Sequence, residues 1–321
     1  MTDRVIRIGT RGSALALWQA DHVAALLRAA HPGLAVERVV IKTTGDRILD
    51  VPLSDIGDKG LFTKELERAL LRDEADIAVH SMKDVPTEPV PGLALAAVPP
   101  RGPVEDAWVS ARFGTIDELP QGATVATGSL RREAQLRHLR PDLRVVDVRG
   151  NVQTRLGRLD EHGWDGMLLA RAGLERLGLG ARIAARLPVE RFVPAVGQGA
   201  LYVQAREGSA AAALAAALND PAAAAAVRAE RRFLAELEGG CQVPIGAHAR
   251  LDGDRLRLVG FVARRDGSAL VRRELDGPAA DPEAVGLALA DAVRAAGGEA
   301  ILRAERAAAA AGPAFRAPQR G

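Results

Sequence analysis

The sequence predicts an α/β protein of two lobes with mostly parallel sheets, followed by a small C-terminal α+β domain. Three observations predict it. Over the first two-thirds, short β runs alternate with amphipathic helices through polar or glycine-rich turns, the pattern of βαβ units. Two breaks rich in proline and glycine, Pro99-Pro100-Arg101-Gly102-Pro103 and Val193-Pro194-Ala195-Val196-Gly197-Gln198-Gly199, read as crossovers between lobes. From about Ala222 the alternation stops, and β runs joined by hairpin turns take over. At 321 residues the chain is long enough for two or three separate cores. The expected division is residues 1–99 with 197–218 as the first lobe, 104–194 as the second, and 222–304 as the C-terminal domain. Residues 305–321 are rich in Ala, Arg and Pro, have nothing to bury, and are expected to form a flexible tail.

Taken in order, Arg4-Ile8 reads as a strand leading into Gly9-Thr10-Arg11-Gly12-Ser13, then a helix with Leu15, Leu17, Trp18, Val23, Leu26 and Leu27 apolar. Ala75-Val79 leads into His80-Ser81-Met82-Lys83-Asp84-Val85-Pro86. Thr124-Ala126 leads into Thr127-Gly128-Ser129-Leu130-Arg131-Arg132 and a helix. Arg144-Val148 leads into Arg149-Gly150-Asn151-Val152-Gln153-Thr154-Arg155 and a helix, and Gly166-Ala170 into Arg171 through Arg176. A helix through Leu237 enters the loop around Cys241. Strands follow over Ala247-Leu251, Leu256-Ala263 and Leu270-Leu275, with turns at Asp252-Gly253-Asp254 and Asp266-Gly267-Ser268, then a helix from Pro282 to Ala296.

The recurring turn chemistry points to a ligand class. Ser, Thr, Asn, Gly and Arg collect where a strand ends and a helix begins, and open α/β sheets bind ligands there. Free N–H groups and the helix dipole favour anions at such points, and arginine adds bidentate recognition of carboxylate or phosphate. Singly, Ser13, Ser129 and Asn151 read equally well as ordinary N-caps. Several turns of the same chemistry favour a shared anionic ligand. Of 43 basic residues only Lys42, Lys59, Lys64 and Lys83 are lysines. Where arginine is so dominant, Lys59 and Lys83, in glycine-rich or turn-like segments, mark places where a compact, tunable charge is needed.

The single cysteine, Cys241, lies in Glu238-Gly239-Gly240-Cys241-Gln242-Val243-Pro244. One thiol makes neither an internal disulfide nor a multi-cysteine metal site; it can react, or anchor a covalent group. The six histidines have no metal-ligand spacing, so no metal is expected, and His80 reads first as a hydrogen-bonded structural residue. Net charge of only +2 and 3% aromatics disfavour nucleic acid, and no membrane partner is expected. The alanine-rich stretch Ser209–Val227 is broken by Asn219-Asp220-Pro221. Together with the lone cysteine and an opening strand in place of a signal peptide, this predicts a cytoplasmic protein.

Seven motifs then occur in register. They are Gly9-Thr10-Arg11 with Ser13 and Leu15-Ala16-Leu17-Trp18-Gln19; Gly57-Asp58-Lys59-Gly60-Leu61-Phe62; His80 through Pro86; Ser129-Leu130-Arg131-Arg132; Arg149-Gly150-Asn151-Val152 with Thr154-Arg155-Leu156; Val196-Gly197-Gln198-Gly199-Ala200; and Glu238-Gly239-Gly240-Cys241. The set resembles the porphobilinogen deaminase (hydroxymethylbilane synthase) family from about Arg7 to about Ala300. The resemblance implies two lobes like those of periplasmic binding proteins and a monomer acting on porphobilinogen. Four porphobilinogen molecules would be condensed head-to-tail into hydroxymethylbilane, releasing ammonia, on a dipyrromethane cofactor held by a thioether to Cys241.

Carried over by motif, the resemblance gives Asp84, with Lys83, the chemistry beside the pyrrole nitrogens. Lys83, Ser129, Arg131 and Arg132 would hold the cofactor carboxylates. Arg11, Ser13, Arg149 and Arg155 would hold the ring next to the reacting centre, and Arg176 would face incoming substrate. Gln19, Lys59, Phe62 and Thr127 complete the implied substrate contacts. The chemistry suits the residues: each pyrrole unit carries an acetate and a propionate, so a growing chain needs arginines. One fixed carboxylate can stabilise a cationic pyrrole and later accept its proton. Against the family pattern, Asp55 stands where lysine is frequent, Asp58 where glycine is common, Gly128 in place of a serine, and Gln204 in place of an acidic residue. The rival reading from another class is a bilobal protein that binds a small anion without catalysis.

Overall fold

The structure is a computed structural model, described over residues 5–47, 60–237 and 243–310. Two five-stranded sheets and one three-stranded sheet account for its strands. The first sheet has the order β2-β1-β3-β10-β4, where β1 is Ile6–Thr10, β2 Val36–Val40, β3 Ile77–Ser81, β4 Leu93–Ala97 and β10 Leu201–Arg206. The second has the order β7-β6-β8-β5-β9, from β5 (Asp106–Val109), β6 (Thr124–Ala126), β7 (Arg144–Val146), β8 (Gly166–Ala170) and β9 (Ala185–Leu187). In each, the second strand of the order pairs in parallel with both neighbours, β1 with β2 and β3 and β6 with β7 and β8, and one strand runs against the rest: β10 between β3 and β4, β5 between β8 and β9.

The reversed strands have a common origin. β5 is the first strand after the chain leaves the first lobe, and β10 the first after it returns. A chain crossing from one lobe enters the other from the cleft side, so its first strand runs opposite to the βαβ units already there. The sheets are therefore mixed: four strands of each share one direction, in keeping with the mostly parallel sheets expected from sequence, and one is reversed. Each lobe's helices cover its sheet in the usual way. Helix α1 (Ala14–Ala30) buries Ala16, Ala20, Val23, Ala24 and Leu27, spaced three and four apart, against Ile6, Ile8, Ile77 and Val203. The first lobe also has α2 (Lys64–Leu71); the second has α3 (Leu130–Leu139), α4 (Val152–His162) and α5 (Arg171–Arg176). Helix α6 (Ala210–Ala216) closes the first lobe.

The C-terminal domain is an antiparallel meander of β11 (Ile245–Asp252), β12 (Arg255–Ala263) and β13 (Leu270–Pro278). Helices α7 (Pro221–Glu236) and α8 (Pro282–Val293) pack on it through Phe233, Leu237, Leu289 and Val293, against Ala247, Leu258 and Val262. Helix α9 (Glu299–Ala310) corrects the expected tail: it continues past Glu305 as far as Ala310. Buried Ile301 and Leu302 anchor it, and the following alanines have the best helix propensity. Residues 311–321 of the expected tail lie outside the described residues. Among the described residues no single helix is long and apolar enough to cross a membrane.

One buried carboxylate joins the three bodies. Glu230 of α7 accepts two hydrogen bonds from Arg101 of the first crossover, at 2.7 and 3.0 Å. It also accepts the N–H of Gly197 in the second crossover and that of Ala249 on β11, both at 2.7 Å. Burial alone would raise this carboxyl; Arg101 and His248 outweigh it and hold it down to about 2. The hairpin between β12 and β13 docks on α3, where the Gly267 carbonyl meets His138 Nδ1 at 2.9 Å and Arg265 pairs with Glu133 at 3.0 Å.

Candidate active site

The strand β3 ends at Ser81, and a single 3-10 turn, Met82–Asp84, follows it. Met82 is buried and its N–H donates to the Ala200 carbonyl at 3.0 Å, which pins the turn to the returning crossover. Lys83 and Asp84 are thereby left facing the cleft, exposed to its solvent. On the first-lobe side, a cavity of about 60 Å³ is lined by Arg11, Ser13, Gln19, Phe62, Ser81 and Asp84, among others. The Arg11 guanidinium sits 4.1 Å from the centroid of the Phe62 ring, which holds it by a cation–π contact. Gln19 Nε2 donates to Ser81 Oγ at 2.8 Å.

The second lobe supplies the facing cations. Arg131 and Arg132 open α3 and are almost wholly buried. Both close on the buried carboxylate of Asp106 at the start of β5, at 2.7 Å each. Arg131 also donates to the Val193 carbonyl at 2.6 Å and Arg132 to that of Leu168 at 3.2 Å. Gln198, from the returning crossover, donates to Asp106 Oδ1, the oxygen that Arg132 holds, at 2.9 Å. Burial alone would raise the Asp106 carboxyl, yet the two guanidiniums hold it far below the usual range.

Positive charge remains in excess, and neighbouring groups register it. Lys83 is open to cleft water but crowded by protein on most sides. That crowding first, then Arg132 and Arg131, pushes its pKa down to about 8, with Asp84 and Asp106 opposing. Arg155 donates Nε–H to the Gly150 carbonyl at 2.8 Å. Burial, then Arg132 and Arg149, lower it to about 10, with Asp84 and Asp147 opposing. Asp84 of the first lobe thus lies within electrostatic reach of Arg155 of the second. Arg176 bridges the lobes differently: Nη2 donates to the Gly199 carbonyl at 2.6 Å, and its guanidinium lies 5.3 Å from the Trp18 ring centroid. Burial lowers Arg176 to about 10 as well.

The three serine and asparagine turns separate. Ser13 and Asn151 are N-caps, accepting the N–H groups of Ala16 at 3.3 Å and Thr154 at 2.9 Å. Ser129 precedes α3 yet its hydroxyl makes no capping bond. Thr127, expected to touch substrate, is buried, and its hydroxyl accepts the Ser129 N–H at 3.3 Å, so here it builds the turn. His80 is buried, and one ring nitrogen meets Gln204 Oε1 at 3.1 Å. Burial pushes its pKa down to about 4, opposed by that hydrogen bond and furthered by Arg11, so it is neutral near pH 7. Cys241 and Lys59 lie outside the described residues, as do Asp55 and Asp58. Sequence reasoning missed Asp106 and Gln198 as site residues. The signal was present: an acidic residue opening the apolar run Ala107-Trp108-Val109 needs a cationic partner once buried.

Arg11 lines a cavity with Asp84, Lys83 feels Asp84, Arg131 and Arg132, and Arg155 feels Asp84, Arg132 and Arg149, while Arg176 is held at the returning crossover; Arg131 Nε is a buried donor with no hydrogen-bond partner. Such a donor set fits a ligand with several carboxylates. A family model described as "Porphobilinogen deaminase, dipyromethane cofactor binding domain" matches residues 6–213, and "Porphobilinogen deaminase, C-terminal domain" matches residues 224–295. The porphobilinogen deaminase of Thiobacillus denitrificans is 55% identical over 92% of this chain and 97% of its own length. That of Syntrophotalea carbinolica is 52% identical over 95% and 97%. Among solved structures, that of the methionine binding protein MetQ covers 66% of this chain and 88% of its own at 14% identity, with a TM-score of 0.42.

Proposed function

Because the chain belongs to the porphobilinogen deaminase family, forming hydroxymethylbilane on a dipyrromethane cofactor, we propose that Asp84 carries the chemistry and the surrounding cations hold the carboxylates. When bound, the cofactor supplies a free pyrrole α-carbon to which the first porphobilinogen is joined. Lys83, Ser129, Arg131 and Arg132 would hold its carboxylates, with Cys241 as the covalent anchor. Arg11, Ser13, Arg149 and Arg155 would hold the ring at the reacting centre, with Gln19, Lys59 and Phe62 beside it and Arg176 facing the incoming molecule.

The observation that carries this reading is the position of Asp84, a cleft-facing carboxylate on a turn pinned by Met82, within reach of Lys83 and Arg155. Loss of ammonia from porphobilinogen leaves positive charge spread onto the pyrrole nitrogen. A fixed carboxylate stabilises that charge and then takes the proton released as the carbon–carbon bond forms. The arginines neutralise each added acetate and propionate, and their fixed forks set the orientation. We further propose a cytoplasmic monomer, with residues 1–99 and 197–218, 104–194, and 222–304 as its three domains.

Intact mass and turnover test the assignment together. Protein purified gently should carry a dipyrrole-sized increment on the peptide holding Cys241, and Cys241→Ser should lack both increment and activity. Asp84→Asn should keep the increment while kcat falls by at least ~10²-fold. Unmodified protein that turns over porphobilinogen, or an active Asp84→Asn, would overturn it.

A further inference from the structure

Arg231 lies on the C-terminal domain's helix α7, outside the cleft, yet its guanidinium reaches the first lobe. Nη1 donates to the Val85 carbonyl at 3.0 Å and Nη2 to the Pro86 carbonyl at 2.6 Å. These are the first and second residues after Asp84. The same guanidinium packs over the Tyr202 ring, 5.7 Å from its centroid, and Tyr202 on β10 stands opposite His80 on β3. Among the described residues no carboxylate pairs with Arg231. A largely enclosed cation satisfied by two carbonyls and a ring is costly to maintain, so its geometry calls for an explanation.

The turn itself offers one. Met82–Asp84 is a single turn closed by the Val85 N–H donating to the Met82 carbonyl at 3.2 Å. The Met82–Ala200 bond holds the start of this turn, while its exit through Val85 and Pro86 is tied back to it by the Val85–Met82 bond. A planar fork that grips two successive carbonyls fixes the direction of that exit, and with it the aim of the Asp84 side chain. Helix α7 ends at Glu236, and Cys241 follows five positions later in the sequence.

We propose that Arg231 is a positioning residue that locks the Asp84 turn to the helix leading to the cofactor cysteine. It touches neither substrate nor cofactor and acts through the backbone of Val85 and Pro86. This rests on the reading of Asp84 as the catalytic carboxylate.

A double-mutant cycle in the full-length holoenzyme tests it. Arg231→Met should lower kcat by about 10- to 100-fold, the cost of a misaimed catalytic group, with KM within about twofold because the substrate arginines are untouched. Intact mass should show the cofactor retained, and amide exchange over residues 82–86 should quicken while the rest of the first lobe is unchanged. Added to Asp84→Asn, Arg231→Met should cost nothing further, since both act through one group. Arg231→Lys keeps the charge and reaches one carbonyl, so its kcat should fall in between; if Arg231→Met does not fold, the cycle is run with the lysine variant. Wild-type kcat, unchanged exchange at the turn, or losses that multiply in the double variant would overturn the proposal. An Asp84→Asn enzyme with normal turnover would instead remove the catalytic reading beneath it.

Discussion

Lys83 and Asp106 show how charge is distributed around the cleft. The folded pKa of Lys83, about 8, lies below the ordinary lysine value of 10.5. Between those two values the folded protein holds fewer protons than the unfolded chain, so raising the pH through about 8 removes a positive charge from the cleft without unfolding it. Uptake of the anionic cofactor by cofactor-free protein should therefore weaken as pH rises through about 8, and Lys83→Arg should flatten that dependence; intact mass after incubation at a series of pH values measures both. Asp106 acts in the opposite sense, as counter-charge to two buried guanidiniums. Asp106→Asn keeps the shape and leaves Arg131 and Arg132 without it. Breaking a buried pair from one side costs about 3–5 kcal/mol, so urea unfolding should shift accordingly and the isolated variant should be mostly free of cofactor. A variant that unfolds at the wild-type midpoint and retains its cofactor contradicts that role.

At the scale of elements, the site is assembled from strand-to-helix turns, and the turn from β6 to α3 leaves no room at Gly128. A Cβ on Gly128 would meet the Val148 carbonyl at 2.6 Å and an Asp147 carboxylate oxygen at 3.1 Å. The resemblance marks Gly128 as a lost serine hydroxyl; the structure adds a steric reason, since the β7 exit passes too close for a side chain. Gly128→Ser should destabilise the protein by about 1–3 kcal/mol and displace Ser129, with reduced cofactor loading. Loading equal to wild type in a fully stable variant would show that the turn has room to yield. The elements of the repeating βαβ pattern were legible in sequence. β6, β8 and α4 fall where alternation and turn chemistry place them, because their apolar spacing follows their own burial. β5 and β10 were not, because each is completed by partners from a distant part of the chain. β5 opens on Asp106, and β10 carries Gln204 and Arg206. Their polar residues are satisfied only across the fold.

Over the whole molecule, both crossovers and the C-terminal domain meet at Glu230. Its folded pKa of about 2 is below the ordinary 4.5, so the stability it contributes is complete above about pH 4.5 and is lost as pH falls toward 2. Glu230→Gln should lower stability at pH 7 and reduce the steepness of acid unfolding below pH 4.5. Arg101→Leu, which leaves the carboxylate buried and unpaired, should be at least as damaging, by about 3–5 kcal/mol. Chemical unfolding at several pH values decides: a wild-type acid profile in Glu230→Gln would mean that the junction is held by something else.

What the sequence by itself determined is the chemistry and its order: an α/β class, the anion-seeking turns, the lone cysteine, and motifs in register dense enough to name a family. Those features are local, written in runs of a few residues whose meaning does not depend on the rest of the chain. Only the tertiary structure decided that Asp106 and Gln198 hold the arginine pair, that Thr127 serves the turn while the Ser129 hydroxyl caps nothing, and that Arg231 of a third domain grips the Asp84 turn. The first and the last depend on contacts between residues tens of positions or more apart in the chain, and the Thr127–Ser129 bond, though local, depends on the backbone path that the folded turn takes. A buried charge needs a partner, but sequence alone does not say which.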